Sequence, residues 1–189
     1  AYPPAPVVTP EIHGRVMERI IMPTVRGMAA EGNVYTGFLY AGLMIDAAGN
    51  PKVIEFNCRF GDPETQPIMM RMQSDLVELC LAGCAGKLDE KEAVYDSRAA
   101  VGVVLAAANY PGEPQKGDVI AGLDADIGAD AKLFQAGTAA QDDQVVTNGG
   151  RVLCATALGN SVLEAQQKAY QLAKLVSWDS MFYRSDIGY

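Results

Sequence analysis

Val53-Ile-Glu-Phe-Asn-Cys-Arg-Phe-Gly-Asp-Pro-Glu-Thr-Gln-Pro67 is the stretch that decides the fold of this 189-residue chain. Its first residues read as a β-strand, in which alternate side chains point to opposite faces. Glu55 and Asn57 therefore share one face, while Ile54 and Phe56 point to the other. This spacing is compatible with two interpretations, a binding site for a polar group and a solvated polar face at the edge of a sheet.

The residues before this strand predict a hairpin. Two β-rich runs, 34–45 and 51–57, flank the turn sequence Asp46-Ala-Ala-Gly-Asn50. This pattern is typical of an antiparallel pair of strands.

A helix is predicted near the start of the chain. Thr9-Pro10-Glu11 combines a capping hydroxyl, a proline at the first helical position and an acid near the positive end of the helix dipole. Pro23 is expected to kink or restart the helix, which then ends at Gly32. His13, the single histidine of the chain, is interpreted as a partly exposed residue on this helix.

A second helix is predicted after the opening stretch. Ser74 is expected to cap a helix that runs from Asp75 to about Ala85. Cys80 and Cys84 lie one turn apart on it, and they are interpreted as buried free thiols because further metal ligands are missing from the sequence.

The remaining residues predict a β-rich region with one helix. Asn148-Gly149-Gly150 is expected to form a tight hairpin turn, and not a phosphate cradle, because no helix start follows it. Ser161 and Glu164 have the spacing of a helix-capping box. The predicted strands are 99–108, 118–120, 132–138, and 145–147 paired with 152–158; the helix extends from about 160 to 176, and 183–189 form an extended tail.

Composition excludes several classes of function. The chain carries 15 Lys and Arg against 23 Asp and Glu, a net charge of −8, which argues against binding to a phosphate backbone. No apolar run approaches the roughly 18 residues of a membrane span. The charge and the lack of such a run predict neither nucleic-acid nor membrane partners. The cysteines have no framework spacing, which favours reduced thiols, and we therefore expect a cytoplasmic protein.

The polar face of the predicted strand has the chemistry of a cation site. Carboxylate and amide oxygens of the kind that Glu55 and Asn57 carry suit Mg²⁺, which keeps several waters and phosphate oxygens among its ligands. If the strand persists, Arg59 lies on the same face, where a guanidinium can bind a phosphoryl group or a carboxylate.

The segment 36–79, centred on the opening stretch, resembles the carboxyl half of an ATP-grasp domain, and specifically the phosphoribosylamine–glycine ligase family. The run Glu55-Phe-Asn-Cys-Arg-Phe-Gly-Asp-Pro-Glu-Thr-Gln66 carries most of the resemblance. It continues through Tyr110-Pro-Gly112, Gly117–Ile120, Val145–Leu153 and Asp186-Ile-Gly-Tyr189, and so covers almost the whole chain.

The resemblance implies a reaction and a set of site residues. Members of that family use ATP to convert glycine to a glycyl phosphate, which the amine of 5-phosphoribosylamine attacks to give glycinamide ribonucleotide, ADP and phosphate. Glu55 and Asn57 would bind Mg²⁺ or Mn²⁺. Arg59 would stabilise the phosphoryl group or the glycine carboxylate, and Asp62 with Glu64 would face the substrates.

Two departures from the family accompany the resemblance. Many ATP-grasp proteins carry another metal-binding carboxylate on the preceding strand, where this chain has Ala41 and Gly42, and Asp46 is expected to lie in the turn. The amino-terminal portion of the family, with its adenine-binding lobe, is also absent from the sequence. We therefore expect a fragment that needs that portion for activity.

The expected fold is α+β. It comprises a partial ATP-grasp lobe over residues 1–92, an antiparallel sheet with helices, and a β-rich carboxyl-terminal domain with one packed helix over 93–189. A noncatalytic binding or assembly fragment and another ATP-grasp carboxylate–amine ligase remain alternatives. A biotin-dependent carboxylase is disfavoured by the run Arg59-Phe-Gly-Asp-Pro-Glu64.

Overall fold

The computed structural model describes residues 1–188, and these form two compact units. The first unit comprises Pro4–Gly61 and Gln73–Val94. The second comprises Ala1–Pro3, Asp62–Met72 and the described residues from Tyr95 onward. The chain therefore passes from one unit to the other more than once, and the predicted domains 1–92 and 93–189 stay a prediction.

The first unit begins with a helix in two segments. Helices α1 (Pro10–Val16) and α2 (Met22–Ala30) are joined by a π-helical turn, Met17–Ile21. The Thr9 hydroxyl accepts a hydrogen bond from the Ile12 amide at 3.3 Å, so the predicted cap is confirmed. Pro23 lies in the first turn of α2, which confirms that the helix restarts there.

An antiparallel hairpin follows, formed by β1 (Tyr40–Ile45) and β2 (Pro51–Asn57). The hairpin is confirmed, but the first strand starts at Tyr40 and not at residue 34. Asp46 lies in the turn as predicted, where its carboxylate accepts the amides of Ala48 and Asn50 at 3.0 and 2.9 Å.

Helix α4 (Leu76–Cys84) also belongs to the first unit, and two expectations about it are wrong. Its cap is Asp75, whose carboxylate accepts the amides of Val77 and Glu78, whereas Ser74 bonds to the backbone of residues 92 and 94. Cys80 and Cys84 are free but exposed, because Ala82 is the only residue of this helix that is buried.

The core of the second unit is a three-stranded antiparallel sheet in the order β3 (Ala99–Ala106), β7 (Arg151–Gly159), β4 (Ala131–Gln135). Strand β3 is almost completely buried, as its continuous apolar sequence predicts. Helix α5 (Val162–Ala173) packs on β3 and β7. The Ser161 hydroxyl accepts a hydrogen bond from the Glu164 amide, which confirms this half of the predicted capping box. The Glu164 carboxylate, however, accepts the amide of Asn160 and not that of Ser161.

The predicted hairpin around Gly149 and Gly150 is wrong. Strand β6 (Gln144–Thr147) pairs with β5 (Thr138–Gln141), and residues 148–150 connect β6 to β7 in another sheet. The tight turn lies instead at Asp142 and Asp143, both with positive φ, which short polar side chains tolerate. Residues 118–120 do not form a strand, and among them only Val119 forms an isolated bridge, to Val146.

Helix α3 (Thr65–Arg71), which is not among the predicted helices, packs on β3 and β7 of the second unit. Pro67 is fully buried, and a Cβ atom at Gly102 of β3 would lie 3.1 Å from its ring. The expected α+β fold with antiparallel sheets is confirmed. A bridge between Phe182 and Ala106 precedes the predicted tail, residues 187 and 188 of the tail form a turn, and Tyr189 lies outside the described residues.

Candidate active site

Strand β2 holds Glu55 and Asn57 side by side, as the alternation predicts. The Asn57 amide nitrogen donates to Oε1 of Glu55 at 3.1 Å. Glu55 is exposed and Asn57 is half-buried, so the pair forms an accessible polar group on the hairpin. Glu55 lies opposite Gly42 in the register, and Asn57 lies opposite Tyr40.

The pair suits a hard cation better than a structural metal. Within residues 1–188 no three His, Cys, Asp or Glu side chains come together as a metal-binding group. One carboxylate and one amide oxygen match Mg²⁺, whose remaining ligands are usually waters and phosphate oxygens. To offer its oxygen, the Asn57 amide would turn away from the arrangement in which its nitrogen meets Glu55.

Gly42 gives a physical reason for the missing carboxylate on the preceding strand. A Cβ atom at this position would lie 3.0 Å from Cγ of Glu55. A longer side chain here would therefore displace the stem of Glu55. The small residue therefore leaves room for the stem of Glu55.

Arg59 does not lie on the strand face, because β2 ends at Asn57. Its guanidinium donates to the backbone oxygen of Phe60 at 3.1 Å. The Phe60 ring in turn packs against Phe38, with centroids 4.2 Å apart. The condition for a shared face with Glu55 is not met, and Arg59 is instead an exposed side chain in the loop after the strand.

Asp62 and Glu64 belong to the second unit, where Asp62 forms a cluster with Arg151 and Tyr110, two residues that are not among the predicted site residues. Arg151, the first residue of β7, donates to the backbone oxygen of Asp62, and the same nitrogen lies 3.2 Å from its carboxylate. Arg151 also donates to the Tyr110 hydroxyl at 2.7 Å. Glu64 occupies the cap position of α3 without a side-chain hydrogen bond to that helix.

The electrostatics of this cluster favour a charged guanidinium. The hydrogen bond to Tyr110 is the largest cause that raises the pKa of Arg151 above its usual range, and the Asp62 carboxylate adds to it. The signal for the cluster was present in the sequence, since Tyr110 and Arg151 fall in two of the runs that carry the family resemblance. Nothing in their spacing indicated that they meet.

A cavity of about 310 Å³ in the first unit reaches Asn57. Its walls are mainly apolar, and they come from α2, the segment before β1 and the end of β2. The lining residues are Thr24, Val25, Met28, Tyr35, Leu39, Phe56, Asn57 and Cys58.

The helices in the described part of the chain do not have the dimensions of a membrane span. None of them is both long enough and apolar enough to span a bilayer.

Two family models match the sequence. Residues 1–65 match the phosphoribosylglycinamide synthetase ATP-grasp (A) domain, and residues 100–189 match the phosphoribosylglycinamide synthetase C domain. The two matches together cover most of the chain and leave only the residues between them unassigned.

Similar proteins agree with these models. The chain is 71% identical over its whole length to a phosphoribosylamine–glycine ligase of Vibrio cholerae, of which it covers 44%. A solved phosphoribosylamine–glycine ligase of Thermotoga maritima matches 98% of the chain with a TM-score of 0.84 and 38% identity, and 45% of that structure is covered.

A more distant likeness concerns the fold alone. The biotin carboxylase domain of a Hydrogenobacter thermophilus 2-oxoglutarate carboxylase, solved with MgADP, matches 96% of the chain and is itself covered to 39%, with a TM-score of 0.64 and 14% identity. The family models and the close relatives are more specific, and the chain spans less than half the length of those relatives. The chain therefore belongs to the phosphoribosylglycinamide synthetase family, also named phosphoribosylamine–glycine ligases, and carries matches to its ATP-grasp and C domains.

Proposed function

We propose that this chain is part of an enzyme that ligates glycine to 5-phosphoribosylamine at the expense of ATP. A glycine carboxylate oxygen attacks the γ-phosphorus of ATP, and ADP leaves. The amine of phosphoribosylamine then attacks the carbonyl carbon of the glycyl phosphate; phosphate leaves, the nitrogen loses a proton, and glycinamide ribonucleotide results. The observation that carries the proposal is the Glu55–Asn57 pair within a sequence 71% identical to a named ligase.

Glu55 and Asn57 are the proposed ligands of Mg²⁺ or Mn²⁺. The ion would neutralise charge on the nucleotide phosphates while phosphoryl transfer takes place. The contribution of the two side chains is to fix its position from a strand that Gly42 keeps uncrowded. Two protein ligands would suffice, because Mg²⁺ usually takes its remaining ligands from phosphate oxygens and waters.

Arg59 is the proposed electrostatic group for the anionic reactants. Its guanidinium is exposed in the loop after β2, with one hydrogen bond to a backbone oxygen, so it keeps donors for a phosphoryl oxygen or the glycine carboxylate.

Asp62 and Glu64 are the proposed substrate-facing acids. Asp62 is exposed and oriented by Arg151, and Glu64 precedes α3 without a side-chain hydrogen bond to that helix. Carboxylates at these positions suit the ammonium group of glycine or the hydroxyl groups of a sugar. The substrate chemistry thus divides between a basic group at Arg59 and acidic groups farther along the chain.

The rest of the active site would come from the portion of the relatives that this chain does not cover. The chain spans 44% of the Vibrio cholerae ligase, so it would contribute the metal ligands without the complete nucleotide pocket. Correct orientation of the reactants supplies much of the rate enhancement of such enzymes. We expect the 189-residue chain alone to bind ATP weakly and to show no ligase turnover.

Reconstitution tests the proposal. The chain is mixed with a separately expressed polypeptide corresponding to the uncovered portion, and ADP formation is measured with glycine and phosphoribosylamine supplied together and singly. Turnover that requires both substrates supports the ligase. A folded, stable complex without turnover, compared with an active full-length enzyme, would favour the noncatalytic assembly role, and activity with another carboxylate or amine would favour a different ATP-grasp ligase.

A further inference from the structure

We infer that Arg151 is a positioning residue that orients Asp62 toward the ammonium group of glycine. The inference rests on the proposed function and adds to it a residue from the C domain match. Neither the strand pattern nor the metal site requires Arg151, so its placement needs a separate explanation.

Packing of the two neighbouring residues fixes the backbone position of Arg151. It opens β7, and the next residue, Val152, is fully buried, so the start of the strand cannot shift freely. The residue before it, Gly150, lies against the Tyr110 ring so closely that a Cβ atom would come within 2.2 Å of a ring carbon. This close approach brings the Tyr110 hydroxyl within 2.7 Å of Nε of Arg151.

The Nη1 atom of Arg151 contacts both the backbone and the side chain of Asp62. Nη1 donates to the backbone oxygen of Asp62 and lies 3.2 Å from Oδ1 of the same residue. A bond to the backbone fixes where the residue lies, and a contact with the carboxylate fixes where the side chain points. A planar guanidinium can make these contacts while Nε remains bound to Tyr110, which a single ammonium group cannot do.

Stability alone explains this cluster poorly. The side chains of Arg151 and Asp62 are 37% and 58% exposed, and ion pairs at such exposure contribute little to folding. An exposed carboxylate that is held in one orientation can bind a cationic group of a ligand. Glycine offers the matching group, an ammonium ion with three donors, and small errors in the placement of a reacting molecule can cost about 10²-fold in rate.

The experiment uses the full-length enzyme that contains this segment. Arg151→Gln removes the charge and the fork, Arg151→Lys keeps the charge alone, and Arg184→Gln removes an arginine from another exposed Arg–Asp pair of the second unit as the matched control. Values of kcat and KM are measured for glycine and for ATP, together with the melting temperature of each variant.

We expect Arg151→Gln to raise KM for glycine about 10- to 100-fold with KM for ATP within twofold of wild type, following the cost of a misplaced substrate. Arg151→Lys should give a smaller rise, and Arg184→Gln should leave both constants unchanged. An unchanged KM for glycine in Arg151→Gln overturns the inference, as does an equal change in both KM values. An inactive wild-type enzyme would instead refute the proposed function.

Discussion

Replacement of Glu55 by glutamine in the full-length enzyme distinguishes two interpretations of the polar strand face, a metal site and a solvated sheet edge. The change exchanges one carboxylate oxygen for an amide nitrogen and leaves the size of the side chain almost unaltered. Glutamine can still accept the hydrogen bond that Asn57 donates to Glu55 at 3.1 Å. The substitution therefore removes a negative charge and little else.

We expect Glu55→Gln to change the free energy of unfolding very little and the turnover very much. Glu55 is exposed and its hydrogen bond to Asn57 can be kept, so the free energy of unfolding should change by less than about 0.5 kcal/mol. Loss of one electrostatic contact that stabilises the transition state, here through the proposed metal ion, typically lowers turnover about 10²- to 10³-fold, or about 2.7–4 kcal/mol in activation free energy. Only a catalytic role predicts both values together.

The assay compares kcat at saturating ATP and Mg²⁺ with the melting temperature of the same preparation. Glu90→Gln, the same chemical change at an exposed position of the first unit, is the control and should behave as wild type. Asn57→Ala should also lose turnover without loss of stability. A kcat for Glu55→Gln within a few-fold of wild type would refute the assignment of the metal ligands.

Three further predictions concern the folding of the chain, and each is checked by unfolding of purified variants. Gly159→Ala should destabilise by about 1–3 kcal/mol because its Cβ would lie 2.4 Å from a backbone nitrogen of α5, while Gly83→Ala, with open space around it, should stabilise by up to about 1 kcal/mol. Asp75→Ala should cost about 0.5–2 kcal/mol through loss of the α4 cap. Hydrogen bonds from Arg98 lower the pKa of Asp96 to about 2, below its usual value near 3.9, so the stability that this pair provides should be complete above about pH 4 and lost as the pH falls toward 2; Asp96→Asn should flatten that part of the profile.

Local signals in the sequence predicted the helices with strong caps and the first hairpin. Thr9 and Ser161 place a hydroxyl before a helical run, and both accept the expected backbone amides. The hairpin of β1 and β2 follows from short-range alternation and a turn of five residues. In these elements the stabilising contacts lie close together in the sequence, so the sequence pattern reports them directly.

Pairings that depend on distant residues were missed. Asn148-Gly149-Gly150 has the composition of a tight turn, yet β7 is drawn into a central position between β3 and β4 because its side chains are buried in the core. The turn is formed instead by residues 142 and 143, two aspartates with positive φ. Burial of a complete strand contributes more than a favourable turn dipeptide, and only the folded chain shows which strand is buried.

In the candidate site, too, contacts between residues close in sequence were predicted and contacts between distant residues were not. The neighbourhood of Glu55 and Asn57 was predictable because two alternate residues of one strand share a face. Arg59 was misplaced because the end of a strand depends on its partner, and β1 begins opposite Asn57. The contact of Arg151 with Asp62 joins residues 89 positions apart, a separation at which no periodicity in the sequence gives information.

The passage of α3 into the second unit limits how the gene for this chain can be divided. The flanking segments 4–61 and 73–94 belong to the first unit, whereas Asp62–Met72 supplies a buried proline to the sheet of the second. No single cut in the sequence therefore yields two pieces that each contain one complete unit. Exchange of the C-terminal half between relatives would have to include this helix, or the donor and recipient residues at Pro67 and Gly102 would need to be compatible.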